Sequence, residues 1–214
     1  DGAAAQAHTD PAAALSAYEQ TILAAPQQRL HTDPIVHAYA ITARRCGFHR
    51  EHLVAFFSSM RADLTHREYS PSELQDYIYG SAEAIGLLCL QIFLAEENVS
   101  PADRAAMERG ARALGSAFQK INFLRDLRED SSTLGRTYFQ QAPSGRIDEA
   151  TKSALIAEIR QELATAALTI DLLPASARVG VSAAADIFAE LTNRLAATPA
   201  TALATTRVSV PNHT

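Results

Sequence analysis

The chain has 214 residues, of which 47% are hydrophobic and 20% charged, and its formal net charge is −5. This length is sufficient for one domain with a sizeable core, and the composition is ordinary for a water-soluble globular protein. The acidic balance argues against nucleic-acid binding, because a protein that grips a phosphate backbone usually carries a basic excess. The two cysteines, Cys46 and Cys89, are too few for the disulfide framework of a small secreted protein.

No part of the sequence resembles a signal peptide or a membrane span. The longest apolar run, 84–95, is interrupted by Gln91 and is too short to cross a bilayer. We therefore expect a soluble cytoplasmic protein, and loose peripheral attachment to a membrane stays open. The chain begins with Asp1 and not with Met, which indicates a processed, trimmed or incomplete chain.

Helix signals follow one another along the whole sequence. Asp10 before Pro11 and Asp33 before Pro34 each place a capping side chain ahead of a proline, which is typical of a helix start. These signals predict helices over 11–25 and 34–46, and Gly47 is the predicted stop of the second. Further helices are predicted over 50–64, 70–96, 100–130, 148–172 and 175–196, with a loop at 131–145. A short strand is a candidate only at 207–210, so we predict a single all-α domain, a bundle of about seven helices.

The helix predicted over 100–130 carries a line of polar side chains. Gln119, Asn122, Asp126 and Asp130 are spaced by 3, 4 and 4 residues, which places them on one face. Gly115 lies on that face one turn earlier, where we expect its missing side chain to leave room. On a bare helix Asp126 and Asp130 repel each other by roughly a few tenths of a kcal/mol, and a hard divalent cation removes that repulsion.

Oxygen ligands on one helix face are suited to magnesium. Mg²⁺ is typically bound by one or two carboxylates together with substrate phosphate oxygens, so the pattern predicts a Mg²⁺–diphosphate site with Asn122 as a further neutral ligand. Arg125 and Arg128 flank the face and Arg136 follows it, and guanidinium groups suit phosphate oxygens. The alternative is a solvated helix face on which pairs such as Arg125 and Glu129 only support the helix.

A second segment, 77–92, is rich in small residues. Five of the seven positions from 80 to 86 hold Gly, Ser or Ala. A glycine inside a helix costs about 1 kcal/mol relative to alanine, so Gly80 and Gly86 need a reason. Close packing of two helices is one explanation. The other is a tunnel for a long apolar ligand, with Tyr77 and Tyr79 at its polar end.

Both segments resemble the signature motifs of the squalene/phytoene synthase family. Residues 77–86 resemble its Tyr-x-x-x-(small)-Ala-x-x-(Val/Ile)-Gly motif. Residues 114–130 resemble its Leu-Gly-x-x-x-Gln-x-x-Asn-x-x-Arg-Asp-x-x-x-Asp motif, which Gly-Arg-Thr-Tyr follows at 135–138. The stretch 60–69 and the ending Arg-Val-Ser-Val-Pro at 207–211 are also similar, the latter to bacterial phytoene synthases. The sequence departs from the family at Ile78, Glu83 and Gln140, and Glu83 is expected to bring a carboxyl group to the apolar pocket.

The resemblance implies an isoprenoid-synthase bundle around a central cavity, and a Mg²⁺-dependent prenyltransferase (Mn²⁺ is an alternative ion). The implied reaction joins two prenyl diphosphates head to head, two geranylgeranyl diphosphates giving phytoene in carotenoid biosynthesis, without NADPH. The implied catalytic residues are Tyr77, Arg125, Asp126 and Asp130, and the implied metal ligands are Asn122, Asp126 and Asp130. The implied substrate contacts are Gln119, Asn122, Arg136, Tyr79, Ala82, Ile85, Gly86 and Cys89.

The family has a first Asp-rich motif on a facing helix, and residues 2–70 contain no D-x-x-x-D. By family spacing this motif falls just before the chain, so Asp1 is either its last aspartate and a metal ligand or a terminal residue without a role. We therefore expect residues 1–214 alone to be inactive. The alternatives are a squalene, dehydrosqualene or presqualene diphosphate synthase that uses farnesyl diphosphate, or a non-catalytic family member that acts in assembly. The sequence predicts neither prenyl chain length nor oligomeric state.

Overall fold

The computed structural model describes residues 10–66, 68–127, 147–203 and 205–210. Over these ranges the helices are α1 (Pro11–Ala24), α2 (Pro34–Cys46), α3 (Arg50–Thr65), α4 (Pro71–Ile78), α5 (Ala84–Phe93), α6 (Pro101–Arg125), α7 (Glu149–Ile170), α8 (Ala175–Ala197) and α9 (Ala200–Leu203). The described residues form no strand, including the candidate at 207–210, and the predicted all-α fold is confirmed. None of the described helices is long and apolar enough to cross a membrane.

The helix starts follow the capping signals of the sequence. The Asp33 carboxylate accepts a hydrogen bond from the Ile35 N–H at 2.8 Å, which satisfies one of the free donors at the start of α2. At α4, Ser70 and Glu73 form a reciprocal capping box. Gly47 ends α2 with φ of 64°, a left-handed conformation in which a side chain would be strained.

The predicted helix over 70–96 is divided in the structure. A π-helical turn, Tyr79–Glu83, separates α4 from α5. The Ser59 hydroxyl donates a hydrogen bond to the Tyr77 carbonyl at 3.1 Å, so a partner on α3 supports the backbone just before the turn. A Cβ on Gly80 would lie 2.2 Å from the Ala55 carbonyl oxygen, so only glycine permits this approach to α3. Turns of this kind are frequent at functional sites.

The helix predicted over 100–130 also differs, because regular helix ends at Arg125. The Asp126 N–H still bonds the Asn122 carbonyl at 2.9 Å, but the backbone of Asp126 has φ of −102° and ψ of 10°. The change of direction therefore arises at Asp126 itself, inside the motif that sequence spacing treats as continuous helix. The predicted loop at 131–145 lies outside the described residues.

The centre of the bundle is α6, which packs most extensively against α7 and also contacts α5, α8 and the π-helical turn. Ile121, Leu124 and Ile159 are fully buried between α6 and α7. Burying such a side chain stabilises the fold by about 1.5–3 kcal/mol. Val208 and Val210 pack against the same core, so the tail returns to the C-terminal half of α6.

Candidate active site

An apolar cavity of about 560 Å³ lies between α5, α6, α7 and α8. The sequence-predicted contacts Ala82, Ile85, Gly86 and Cys89 line one wall of it. The opposite walls are formed by side chains of α6, α7 and α8, which include Leu114, Phe118, Ala166, Ala177 and Val181. The volume lies within the range of about 300–1,000 Å³ that is usual for small-molecule sites, and the lining suits an apolar ligand.

The glycines of this region serve close packing as well as the cavity. A Cβ on Gly86 would lie 2.6 Å from the Ala111 carbonyl oxygen, and one on Gly115 would lie 2.7 Å from that of Ala82. The two explanations for the small residues therefore hold together at Gly86. Gly115 also lines the cavity, but the main chain of Ala82 occupies the space that its missing side chain leaves.

The cavity-lining face of α6 continues towards polar groups. Phe118 lines the cavity and stacks on Phe188 with ring centroids 3.8 Å apart. One turn further along lies Asn122, whose Oδ1 is buried and has no hydrogen-bond partner in the described structure. An unpaired buried acceptor costs about 1–3 kcal/mol, so this oxygen is suited to a ligand that arrives with a positive charge or a donor.

Among the described residues, two arginines hold the Asp126 carboxylate, which is 20% exposed. Arg125 approaches it with Nε at 3.0 Å from Oδ1 and Nη2 at 2.5 Å from Oδ2. Arg207, in the returning tail, places Nε 3.0 Å from Oδ1. The carboxylate thus meets two cationic groups at the end of α6. The motif at 207–211 does not by itself indicate that Arg207 is a site residue.

Tyr77 occupies an aromatic cluster beside the π-helical turn. Its hydroxyl donates a hydrogen bond to Asp63 at 3.0 Å, and its ring lies 5.1 Å from that of Tyr69 and 6.1 Å from that of Phe123. These neighbours hold Tyr77 in a polar groove outside the lining of the apolar cavity. The expectation that Tyr77 lies at the polar end of that cavity is wrong for the described cavity.

Tyr79 is also placed outside the apolar cavity. Its hydroxyl lies 3.1 Å from Nδ1 of His52, and the Arg112 guanidinium lies 5.4 Å from the centre of its ring. Burial raises the pKa of Tyr79, although the charge of Arg112 acts in the opposite direction. These contacts direct Tyr79 to the polar side of the π-helical turn.

Glu83 does not bring a carboxyl group to the apolar cavity. Its carboxylate, 15% exposed, accepts a hydrogen bond from Nε of Arg112 at 2.7 Å. Both residues line a polar groove on the other side of α6. The expectation from sequence is therefore wrong, because a partner on α6 holds Glu83 away from the cavity.

The same polar groove contains an ion network that sequence reasoning missed. The Lys120 ammonium lies 2.5 Å from Glu158 and 2.6 Å from Glu162, and the Ser116 hydroxyl donates to Glu162 at 2.8 Å. Burial alone would lower the pKa of Lys120, but the two carboxylates outweigh it and raise that pKa. The network joins α6 to α7, so no spacing within one helix could reveal it.

Three predicted site residues, Asp1, Asp130 and Arg136, lie outside the described residues, as does Arg128. Their roles stay predictions. Gln119 is half-buried on the same face of α6 as Asn122. The structure thus brings together Gln119, Asn122 and Asp126 at one end of the cavity-lining face.

The sequence model of the family described as squalene/phytoene synthase matches residues 1–214. The chain belongs to this family. The predicted resemblance is confirmed over its whole length, including the segments that carry the two motifs.

Two curated proteins are similar in sequence to part of this squalene/phytoene synthase family member. Phytoene synthase 3, chloroplastic, of Zea mays is 43% identical over 86 residues, which are 38% of this chain and 19% of that protein. The bifunctional lycopene cyclase/phytoene synthase of Blakeslea trispora is 27% identical over 136 residues, 56% of this chain and 22% of that protein. The matched part thus spans about a fifth of either relative.

A solved structure agrees with the fold. Squalene synthase HpnC from Alicyclobacillus acidocaldarius matches with a TM-score of 0.73 at 20% identity, over 89% of this chain and 76% of that chain. At this identity the likeness shows the fold, and the predicted isoprenoid-synthase-type bundle is confirmed.

Proposed function

We propose that this family member joins two prenyl diphosphates head to head, and that its substrates are two geranylgeranyl diphosphates, which give phytoene in carotenoid biosynthesis. The observation that carries the proposal is the single face of α6 on which the apolar cavity wall is followed by Asn122 and Asp126. An apolar tail and a charged head are the two parts of a prenyl diphosphate. The order of apolar and polar groups along α6 matches that molecule.

The polar end fits a hard divalent cation. Asn122 offers a buried oxygen that has no partner among the described residues, and Asp126 offers a partly buried carboxylate. These donors fit Mg²⁺, or Mn²⁺ in its place, and we propose Asp130 as a further ligand. The ion, when bound, neutralises negative charge on the diphosphate as it departs.

The arginines and the apolar wall would perform the remaining work. Arg125 and Arg207 now neutralise Asp126, and guanidinium groups bind phosphate oxygens equally well. We propose that they turn to the diphosphate when a cation takes the carboxylate. Ile85, Cys89 and Phe118 would keep water from the allylic cation. Formation of phytoene ends with loss of a proton, so we propose that no NADPH is used.

The test is a product analysis of the complete gene product with geranylgeranyl or farnesyl diphosphate and Mg²⁺. We expect phytoene from the former, and we expect Asp126→Asn to lower kcat by at least about 100-fold, since each 1.36 kcal/mol corresponds to a factor of ten. The matched control is Asp186→Asn, which removes an exposed carboxylate of α8. Squalene-type products only from farnesyl diphosphate would contradict the proposed substrate, and no product from either would indicate a non-catalytic family member.

A further inference from the structure

A group of metal-ligating side chains lies at the start of α3, away from the apolar cavity. His49, Glu51 and His52 each place one ligand atom within 4.8 Å of the other two. Among the described residues, no other three His, Cys, Asp or Glu side chains form such a group. The group borders a polar groove between α3, α5 and α6 that shares no lining residue with the apolar cavity except Leu90.

Local helix geometry brings the three side chains together. His49 is the N-cap of α3, yet its side chain makes no capping hydrogen bond. Glu51 lies in the first turn, with Oε1 3.9 Å from Nδ1 of His49. His52 lies three residues after His49, and residues at this spacing are neighbours on a helix surface. The two imidazole rings have centroids 5.5 Å apart.

Tyr79 orients the buried member of the group. His52 is only 7% exposed, and its Nδ1 lies 3.1 Å from the Tyr79 hydroxyl. When Nδ1–H donates to Tyr79, Nε2 keeps its lone pair for a metal. Proteins commonly orient a metal-binding histidine in this way, through a hydrogen bond from its other ring nitrogen.

The charges around His52 come from α3 and α6. Burial lowers the pKa of His52, and His49 and Arg112 act in the same direction, whereas Glu51 and Glu108 raise it. The neutral imidazole is the form that binds metals. The charge of Arg112 is offset by its ion pair with Glu83 at 2.7 Å.

We propose that His49, Glu51 and His52 form a site for one Zn²⁺ ion, separate from the oxygen-donor site at Asn122 and Asp126. Two imidazole nitrogens and one carboxylate oxygen suit Zn²⁺, with water in the fourth position, and do not suit Mg²⁺, which prefers oxygen ligands. The bound ion ties the N-cap of α3 to its first turn. The inference does not depend on the proposed function.

The surroundings limit the affinity. Arg104 and Arg109 border the same groove, and the positive end of the α3 dipole lies beside His49. The two arginines and the helix dipole disfavour the binding of a cation, whereas the carboxylates of Glu51 and Glu108 favour it. We therefore expect much weaker binding than that of a closed four-ligand structural site.

The experiment is a calorimetric titration of metal-free protein with Zn²⁺ in millimolar Mg²⁺, which occupies oxygen-donor sites. We expect one Zn²⁺ per chain, and at least tenfold weaker binding by His49→Gln and by Glu51→Gln. Both side chains are exposed, so these substitutions preserve the fold. The matched control, His66→Gln, removes an exposed histidine beside Glu73 and leaves the affinity unchanged.

Absorption spectroscopy with Co²⁺ in place of Zn²⁺ is a second test of the same site. Co²⁺ bound to imidazole nitrogens in a four-coordinate site gives visible absorption bands, which we expect in wild type and in His66→Gln but not in His49→Gln. Equal Zn²⁺ affinity in wild type, His49→Gln and Glu51→Gln would overturn the proposal. So would the absence of any Zn²⁺ binding by the wild-type chain.

Discussion

At the scale of single residues, the Asp126 carboxylate is the group on which the candidate site depends. Its charge is balanced by Arg125, its neighbour in sequence, and by Arg207, which the tail brings back to the end of α6. Because Arg207 is 63% exposed, it can leave the carboxylate at little cost in buried surface. The pair therefore makes Arg207 a competitor of any cation at Asp126 and a candidate partner of the diphosphate that accompanies it.

The variant Arg207→Gln separates these two roles. Without the guanidinium, we expect Mg²⁺ alone to bind several-fold more tightly, because it no longer displaces an ion pair. We expect Mg²⁺ together with inorganic diphosphate to stabilise the variant less than wild type, because one phosphate-binding group is lost. Thermal unfolding measured with each addition gives both results. Arg160→Gln is the control, and identical shifts in wild type and Arg207→Gln would contradict the competition.

A site residue could be predicted from the sequence when the residues it acts with lie on the same helix. Asn122 and Asp126 follow from spacing along one helix, because residues three and four apart share a face. Arg207 meets Asp126 only after the tail folds back, and Glu83 meets Arg112 only across two helices. The same limit applies to Lys120, because the two carboxylates that pair with it, Glu158 and Glu162, lie on α7. Periodicity carries no information about partners on other elements.

At the scale of elements, glycine determines how closely α5 and the π-helical turn approach α6. Gly86 lies against the Ala111 main chain, and Gly115 lies against that of Ala82. Each glycine lowers the stability of its helix by about 1 kcal/mol relative to alanine, but it allows the two backbones to come into contact. Because these backbones lie so close together, small residues form this part of the cavity lining.

We expect Gly115→Ala to destabilise the fold by about 1–3 kcal/mol, because its Cβ would lie 2.7 Å from a backbone oxygen that cannot move freely. For a chain of this size, each kcal/mol of destabilisation lowers Tm by roughly 2–4 °C. The control is Gly180→Ala in α8, where a Cβ meets no atom within 4 Å. There the gain in helix propensity should stabilise by about 0.5–1 kcal/mol. Denaturant unfolding of both variants measures the contrast, and equal changes would contradict the packing role of Gly115.

The elements themselves were predictable where their signals are local. Asp33, Ser70 and Gly47 mark helix ends through hydrogen bonds and backbone conformation within a few residues. The π-helical turn was not predicted, since the contact beside it, from the Ser59 hydroxyl to the Tyr77 carbonyl, comes from α3. The break at Asp126 was missed for a related reason. The sequence continues with helix-forming residues, whereas the backbone changes direction.

At the scale of the whole molecule, the arrangement of helices around the cavity could be expected only through the family resemblance. Composition and periodicity indicate helices, but they do not say that α5, α6, α7 and α8 enclose a space of about 560 Å³. In the described part of the chain, the cavity-lining face of α6 continues beyond Phe118 to the polar side chains of Asn122 and Asp126. A head-to-head reaction requires two diphosphates, and the sequence of residues 1–214 contains one D-x-x-x-D pair, Asp126 and Asp130.

We therefore propose that residues 1–214 alone turn over geranylgeranyl diphosphate at least about 100-fold more slowly than a longer gene product that also carries a second Asp-rich motif. One diphosphate must ionise while the second substrate is held against the resulting cation, and both need charge neutralisation. Loss of metal-holding groups that act in the transition state costs several kcal/mol, and each 1.36 kcal/mol corresponds to a factor of ten in rate. Both proteins are to be assayed with Mg²⁺ and with geranylgeranyl or farnesyl diphosphate. Circular dichroism of residues 1–214 serves as the control, because it separates slow chemistry by a folded helical chain from unfolding. Comparable turnover by the two proteins would show that a single Asp-rich motif supports the reaction, and the assignment of the chemistry to two facing motifs would then be wrong.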